Sequence, residues 1–323
     1  MNCEATGGSL VEFYKRPYNP ATPVPPKSPF DRVKRFVYLL QFLVESVPVW
    51  LWLLVKWLFP GPPKNITGWN ALVTGGSNGI GRAVALELAR SGCNVVIVDI
   101  DEDNGRRTLA ELLTHNVKAA FYKVDVACYE EIDQLGREIG PVDILVNNAS
   151  VLPFLVPDEY SPENIRRTIN VNILSHFWTI KTFLPGMYER RQGHIVALSS
   201  LLAYLPEGYT RSYSTTKYAI RGFMEELHDE IYHAGFEKRV KTTTVFPAII
   251  NTRKECIDVL RSLPNNPNQP VYTPEEAGRR IVEGIKRNTR KLVIYQSTKA
   301  WQIARFEDLP RAITRLYMYE IWK

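Results

Sequence analysis

The chain has 323 residues, 45% of them hydrophobic, and a formal net charge of +6. That length buries one large core, and a single α/β domain of about 250 residues fits within it. Bases are spread among acids, so no nucleic-acid partner is expected. Cys3, Cys93, Cys128 and Cys256 lie far apart without metal-ligand spacing, so no metal site is expected and the thiols read as reduced.

Residues 1–35 form an irregular, proline-rich, basic segment. Pro17, Pro20, Pro23, Pro25, Pro26 and Pro29 exclude a continuous helix, and Lys27, Arg32, Lys34 and Arg35 supply the charge. Residues 36–60 are apolar and carry Trp50, Trp52 and Trp57, but Glu45, Pro48 and Lys56 interrupt them. The uncharged runs 36–44 and 46–55 are each shorter than the ~20 residues a spanning helix needs. A charge in the hydrocarbon centre costs at least ~2.5 kcal/mol. The pattern predicts a membrane-associated hairpin or in-plane helix; a helix packed on the enzyme or a second subunit is the alternative. The tract begins too far from Met1 for a signal peptide.

The dinucleotide-binding domain is expected over 61–300. It opens on a strand, Ala71 to Val73, that runs through Thr74-Gly75-Gly76-Ser77-Asn78-Gly79-Ile80-Gly81 into a helix with Ala83, Val84, Leu86, Leu88 and Ala89 on its apolar face. A strand–glycine turn–helix aims free helix N–H groups at one point, which suits a pyrophosphate. The next strand, Val95–Val98, ends in Asp99, 24 residues after Gly75. That is near the offset of a carboxylate that binds the ribose 2′-OH and repels a 2′-phosphate. Gly76, Ser77 and Asn78 supply no cation to offset the repulsion, so NAD is preferred over NADP.

Beyond Asp99 the elements alternate. A helix is expected over 101–115, a strand over 119–124 ending at Asp125-Val126, and a helix over 130–139. A strand over 142–146 runs into Asn147-Asn148-Ala149-Ser150. One long helix follows over 162–183, with Ser161 as N-cap and Pro162 in its first turn. A strand over 194–198 ends at Ser199-Ser200. Then come a helix over 213–232, a strand over 241–246 ending at Pro247, a helix from Thr273 to about Arg287, and a strand over 292–295. The strands are continuous apolar runs, the pattern of a parallel sheet covered on both faces. The fold class is therefore α/β: one Rossmann-type doubly wound parallel sheet of seven strands with an N-terminal membrane-associated helical segment. Thr74, Asp99, Asp125, Asn147 and Ser200 fall at carboxyl ends of strands, where such sheets bind ligands.

Tyr213 and Lys217 are four apart on one helix and share a face. An ammonium beside a phenol lowers its pKa from about 10 toward working pH, so the tyrosine can exchange a proton with a substrate hydroxyl while hydride moves to a nicotinamide. Tyr-x-x-x-Lys occurs three times, also at Tyr295/Lys299 and Tyr319/Lys323, but only Tyr213 has a serine thirteen residues upstream, Ser200.

On these motifs, together with Asn172, Pro247 and Thr252, the sequence from about 68 to 297 resembles the short-chain dehydrogenase/reductase family. The resemblance implies Tyr213 as general acid/base, Ser200 orienting the substrate oxygen, and Lys217 lowering the tyrosine pKa and binding nicotinamide ribose. It implies Asn172 as the holder of a water relay to the lysine. It places Thr74, Gly75, Ser77, Asn78, Gly79, Ile80, Gly81, Asp99, Asp125, Val126, Asn147, Ala149, Pro247 and Thr252 around the cofactor. Two positions depart from the family pattern: Ser150 and Ala248 stand where glycine is usual, which puts cofactor affinity or nicotinamide geometry in question.

The apolar N-terminal tract, the end of the second strand, Val171-Asn172-Ile173-Leu174-Ser175-His176-Phe177-Trp178 and Thr273-Pro274-Glu275-Glu276-Ala277 resemble the membrane-associated branch that holds retinol and 17-beta-hydroxysteroid dehydrogenases. That implies NAD-dependent oxidation of a lipophilic alcohol of retinol, steroid or isoprenoid class at the endoplasmic reticulum membrane or lipid droplets. A catalytic domain on the cytosolic side also spares Asn148, in a glycosylation sequon within the cofactor pocket, from a glycan that would not fit there. Alternatives are an NADPH-dependent carbonyl reductase and a membrane-surface protein with a vestigial nucleotide site. Leu152, Phe154, Leu155, Leu201, Leu202, Tyr204 and Leu205 are candidates to line the substrate pocket or to be ordinary core. A homodimer would use the helices around 162–183 and 213–235, and residues 301–323 form an amphipathic tail.

Overall fold

The computed structural model describes residues 61–152, 160–204, 210–252 and 271–295, with 37, 44, 46–48, 51 and 257. The chain divides into two compact units, Met1–Pro60 and Gly61–Lys323. In the first, the described residues are helical; Val37, Val44, Val47 and Leu51 are exposed and Ser46 is buried. No helix among the described residues is long and apolar enough to cross a membrane. Most of the 36–60 tract, the 301–323 tail, Phe154, Leu155, Leu205, Lys299, Tyr319 and Lys323 lie outside the described residues.

The second unit alternates strand and helix. Its strands are β1 (Asn70–Thr74), β2 (Asn94–Asp99), β3 (Ala119–Lys123), β4 (Ile144–Asn147), β5 (Gly193–Leu198), β6 (Val240–Pro247) and β7 (Lys291–Ile294). Its helices are α1 (Gly79–Arg90), α2 (Glu102–Leu113), α3 (Tyr129–Ile139), α4 (Pro162–Ile169), α5 (Ser175–Arg190), α6 (Arg211–His233) and α7 (Pro274–Lys286). All seven strands form one sheet in the order β3-β2-β1-β4-β5-β6-β7, and every pairing is parallel.

The central strands alternate their side chains between two cores. Val73, Val146, Val196 and Val245 pack with Val84 and Leu88 of α1 and Ile281 of α7 on one face. Leu72, Leu145 and Ile195 pack with Phe183 and Met187 of α5 and Met224 and Leu227 of α6 on the other. Covering both faces is what the uninterrupted apolar strands required. The chain winds outward from β1 to β3, then crosses back to pair β4 with β1. A crevice opens beyond the carboxyl ends of those two strands, where the winding reverses.

Local rules place the helix starts. Ser161 accepts the Asn164 N–H at 3.3 Å ahead of Pro162, and Thr273 accepts the Glu276 N–H at 3.1 Å ahead of Pro274.

Three expectations are revised. The long helix over 162–183 is instead α4, a π turn at Asn170–Leu174, and α5, which runs on through Pro185 to Arg190. Val142 and Asp143 precede β4 rather than belonging to it. The Asp143 carboxylate accepts the Asn70 N–H at 3.0 Å and pairs with Arg190 at 3.5 Å, so it braces the start of β1. Tyr295 lies just past the end of β7.

Candidate active site

The crevice is built first by the turn from β1 into α1. Gly75 has φ +61°, a left-handed conformation that favours glycine. A Cβ on Gly81 would lie 2.1 Å from the Gly75 oxygen, so only glycine lets α1 start this close to the turn. The two strand ends are stitched together by Thr74, whose Oγ1 donates to the Val146 carbonyl at 3.3 Å and accepts the Asn148 and Ala149 N–H groups at 3.0 and 3.1 Å. Asn148 Nδ2 returns two bonds, to the Thr74 and Gly75 carbonyls at 2.9 and 3.0 Å. Asn148, expected within the cofactor pocket without a role of its own, thus braces the turn.

The acidic end of β2 closes one side. Asp99 accepts the Ser77 N–H at 3.1 Å and the Asp101 N–H at 3.2 Å. Asp101 caps α2 and accepts from Asn78 Nδ2 at 3.1 Å, and its carbonyl accepts the Ser77 hydroxyl at 3.3 Å. Hydrogen bonds from Asn104, then Asn78, hold the Asp101 carboxyl below its usual range. Thr252 reaches the same turn from beyond β6: a Cβ on Gly79 would stand 3.0 Å from its Cγ2. Pro247 is buried at the end of β6, and Ile80 packs against the core below. Asp125 is exposed, bound through its N–H to Glu131 at 2.8 Å, and Val126 is buried beside it.

These residues fit a dinucleotide. Among the described residues no side chain caps the start of α1 at Asn78, and the N–H groups of a helix's first turn suit an anion. Asn147 is 3% exposed, yet its buried Nδ2 has no hydrogen-bond partner among the described residues. A donor left this way at a crevice is suited to an incoming acceptor.

The second half of the site lies along β5 and α6. Lys217 Nζ donates to the Leu198 carbonyl at 2.9 Å, and Ser199 Oγ donates to the Lys217 carbonyl at 2.9 Å. Burial lowers the Lys217 pKa to about 7. The ammonium stands 5.2 Å from the centre of the Tyr213 ring. Ser200, the next residue after Ser199, accepts the Leu202 N–H at 3.2 Å and keeps its own hydrogen for another acceptor. Of the pair predicted at four-residue spacing, Lys217 is thus tied to the end of β5 at Leu198 and Ser199.

Asn172 sits on the π turn, fully buried. Its Oδ1 accepts the Val151 N–H at 2.8 Å, and its Nδ2 donates to the Val151 carbonyl at 3.1 Å and to Thr216 Oγ1 at 3.2 Å. The side chain is therefore engaged by Val151 and Thr216. A lone π turn of this kind inside an α-helix is frequent at functional sites. His176, one turn on, is buried, and its Nδ1 has no partner among the described residues; desolvation, then the nearby Lys217, lowers its pKa to about 3. Ser150 and Ala248 are half-buried; the Ala248 N–H is taken by the Ile294 carbonyl at 3.1 Å.

No group of three or more His, Cys, Asp or Glu side chains among the described residues is arranged to hold a metal.

A sequence model described as short chain dehydrogenase matches residues 70–255. The chain is 32% identical over 263 residues to the Homo sapiens 17-beta-hydroxysteroid dehydrogenase 13, covering 79% of this chain and 84% of that protein. It is 33% identical over 274 residues to the Mus musculus estradiol 17-beta-dehydrogenase 11, covering 82% and 85%. A solved short chain dehydrogenase/reductase family protein superposes with a TM-score of 0.62 at 25% identity, over 72% of this chain and 97% of that one. With its seven-stranded parallel sheet and its tyrosine–lysine pair beside a glycine-rich crevice, the chain belongs to the short-chain dehydrogenase/reductase family of nicotinamide-dependent oxidoreductases, on the branch of these hydroxysteroid dehydrogenases.

Proposed function

We propose that this protein oxidises a lipophilic alcohol, of the retinol, steroid or isoprenoid class, to the carbonyl with NAD. The observation that carries the reading is the placement of Lys217, 5.2 Å from the Tyr213 ring and bound to the carbonyl of Leu198, the residue directly before Ser199 and Ser200. A nicotinamide dinucleotide, when bound, supplies the hydride acceptor. The chain would hold it with the first turn of α1, the Gly75–Gly81 turn, Asn147 and Thr252.

Tyr213 takes the proton of the substrate hydroxyl as the carbon–hydrogen bond breaks. A phenol is a poor base at neutral pH, and a cation beside it favours the phenolate. Lys217 supplies that cation while protonated. The Ser200 hydroxyl donates to the substrate oxygen and orients it. Asp99 supports NAD because its carboxylate accepts from a ribose hydroxyl and repels a phosphate placed there.

The names of the relatives, 17-beta-hydroxysteroid dehydrogenase 13 and estradiol 17-beta-dehydrogenase 11, support a steroid-like or other apolar alcohol. Leu152, Leu201, Leu202 and Tyr204 are half-buried at the strand ends and supply apolar surface for it. Location at the endoplasmic reticulum membrane or a lipid droplet, with the catalytic unit in the cytosol, is part of the proposal. It is supported by the apolar tract at 36–60 and the exposed Val37, Val44, Val47 and Leu51. A homodimer is also included, since Ile169, Phe177 and Tyr218 expose apolar surface on α4, α5 and α6.

The test is a screen of retinoid, steroid and isoprenoid alcohols with the full chain in detergent, following reduced nucleotide by absorbance. The reading expects turnover with at least one of these alcohols and NAD. Turnover confined to carbonyl reduction with NADPH, or none with any alcohol, contradicts it.

A further inference from the structure

Thr216 is 1% exposed and lies directly before Lys217 on α6. Its hydroxyl has two described partners. It donates to the Tyr213 carbonyl at 2.7 Å and accepts from Asn172 Nδ2 at 3.2 Å, across 44 residues of sequence. The first bond is an ordinary threonine back-bond to the preceding helical turn. The second is not local, and it joins α6 to the π turn.

The proton directions in this network are fixed. A threonine hydroxyl has one hydrogen, and here it goes to Tyr213. The Asn172 amide must present oxygen to the Val151 N–H, so its Nδ2 hydrogens face the Val151 carbonyl and Thr216. A flipped amide would set donor against donor at Val151. Three segments therefore share one arrangement: the start of the loop after β4 at Val151, the π turn at Asn172, and the turn of α6 that carries Tyr213 and Lys217. Lys217 is anchored separately by Leu198, so the tie to Thr216 bears on where Tyr213 stands relative to a fixed ammonium.

We propose that Thr216 is a positioning residue, whose hydroxyl locks the Tyr213-bearing turn of α6 to the Asn172 amide and so holds the phenol in register with Lys217. The inference rests on the reading of Tyr213 as the group that exchanges the proton. Without the hydroxyl, the Tyr213 turn loses its tie to Asn172, the phenol drifts from the ammonium, and the phenolate becomes harder to form.

The experiment uses the full chain in detergent with NAD and an alcohol that it oxidises, and compares Thr216→Val, Thr216→Ser and Tyr213→Phe. It reads kcat against pH, the NAD dissociation constant from protein fluorescence, and the phenol titration by ultraviolet difference against Tyr213→Phe. Thr216→Val should lower kcat about tenfold, since small displacements of reacting groups cost rate steeply. It should move the acid limb of kcat and the matching phenol titration to higher pH by about one unit. NAD affinity should stay within about twofold, because neither described partner of the Thr216 hydroxyl belongs to the glycine turn. Thr216→Ser, which keeps the hydroxyl, should match wild type in all three.

An unmoved limb with lowered kcat assigns Thr216 a merely structural role and overturns the proposal, as does a serine variant no better than valine. If Thr216→Val does not fold, Thr216→Ala, which also lacks the hydroxyl, carries the test, and an unmoved limb there overturns the proposal equally. An inactive Tyr213→Phe beside a wild-type-like Thr216→Val removes only the role of Thr216. A fully active Tyr213→Phe removes the parent reading, and this one with it.

Discussion

Asp99 Oδ2 accepts the Ser77 backbone N–H at 3.1 Å, which ties the carboxyl end of β2 to the glycine turn ahead of α1. The same carboxylate that would read the ribose therefore also shapes the glycine turn. Asp99→Ala should weaken NAD binding and, by removing the charge that repels a 2′-phosphate, lower the preference for NAD over NADP by about 10- to 100-fold, or roughly 1.4–2.7 kcal/mol. Titrating both dinucleotides by fluorescence against wild type and variant checks it. A preference for NADP already in the wild type, unchanged in the variant, contradicts the role given to Asp99.

Gly81→Ala tests the close approach of α1 to the turn. The added Cβ would meet the Gly75 oxygen at 2.1 Å and Asn148 Nδ2 at 2.4 Å, and the nearer contact is backbone. The turn must shift, at a cost of about 1–3 kcal/mol in stability. NAD binding, measured by calorimetry, should fall about 5- to 150-fold, since about 1–3 kcal/mol of misfit at a binding turn is a factor of that order. Gly222→Ala on α6, where a Cβ meets nothing within 4 Å, is the control and should leave binding unchanged.

Two buried histidines set an acid limit on stability. His176 is lowered to about 3 by desolvation, then by Lys217; His194 is lowered well below its ordinary range by desolvation, then by Lys64 and Lys241. Both stay neutral in the fold while the unfolded chain takes up protons near pH 6.5. Their contribution is complete above pH 6.5 and is lost as pH falls toward the folded-state values. Between pH 6.5 and 5 each should cost about 1.4 kcal/mol per pH unit once the unfolded form is protonated. Urea unfolding across that window should show the decline, and His176→Phe should reduce its slope by one proton. A slope unchanged in the variant contradicts the assignment.

Much of the fold was legible because its signals are local. The apolar runs that became β1, β2, β4 and β5, the Ser161-Pro162 and Thr273-Pro274 starts, and the glycine spacing before α1 each depend on neighbouring residues. The pairing of Tyr213 with Lys217 was legible for the same reason, since helical spacing fixes it. The π turn was not. One extra residue in a turn barely disturbs apolar periodicity, and the bonds that accompany it come from Val151 and Thr216, distant in sequence.

The network beneath the sheet was equally hidden. Lys64 Nζ donates to His194 Nδ1 at 2.7 Å, His194 Nε2 meets Thr243 Oγ1 at 2.8 Å, and Thr243 donates to the Thr289 carbonyl at 2.6 Å. Because the Thr243 hydrogen is spent on Thr289, His194 must donate from Nε2 and accept at Nδ1. Only the assembled sheet brings these four positions together.

The most direct measurement is a single turnover of NAD-loaded enzyme with an active alcohol, comparing wild type with Tyr213→Phe. The phenylalanine keeps the ring beside Lys217 and removes only the phenol oxygen. The account predicts nucleotide affinity within about twofold of wild type, since the ring is retained, and a hydride-transfer rate lower by at least about 100-fold, the usual scale of lost acid–base catalysis. A variant that binds NAD and transfers hydride at the wild-type rate would contradict it.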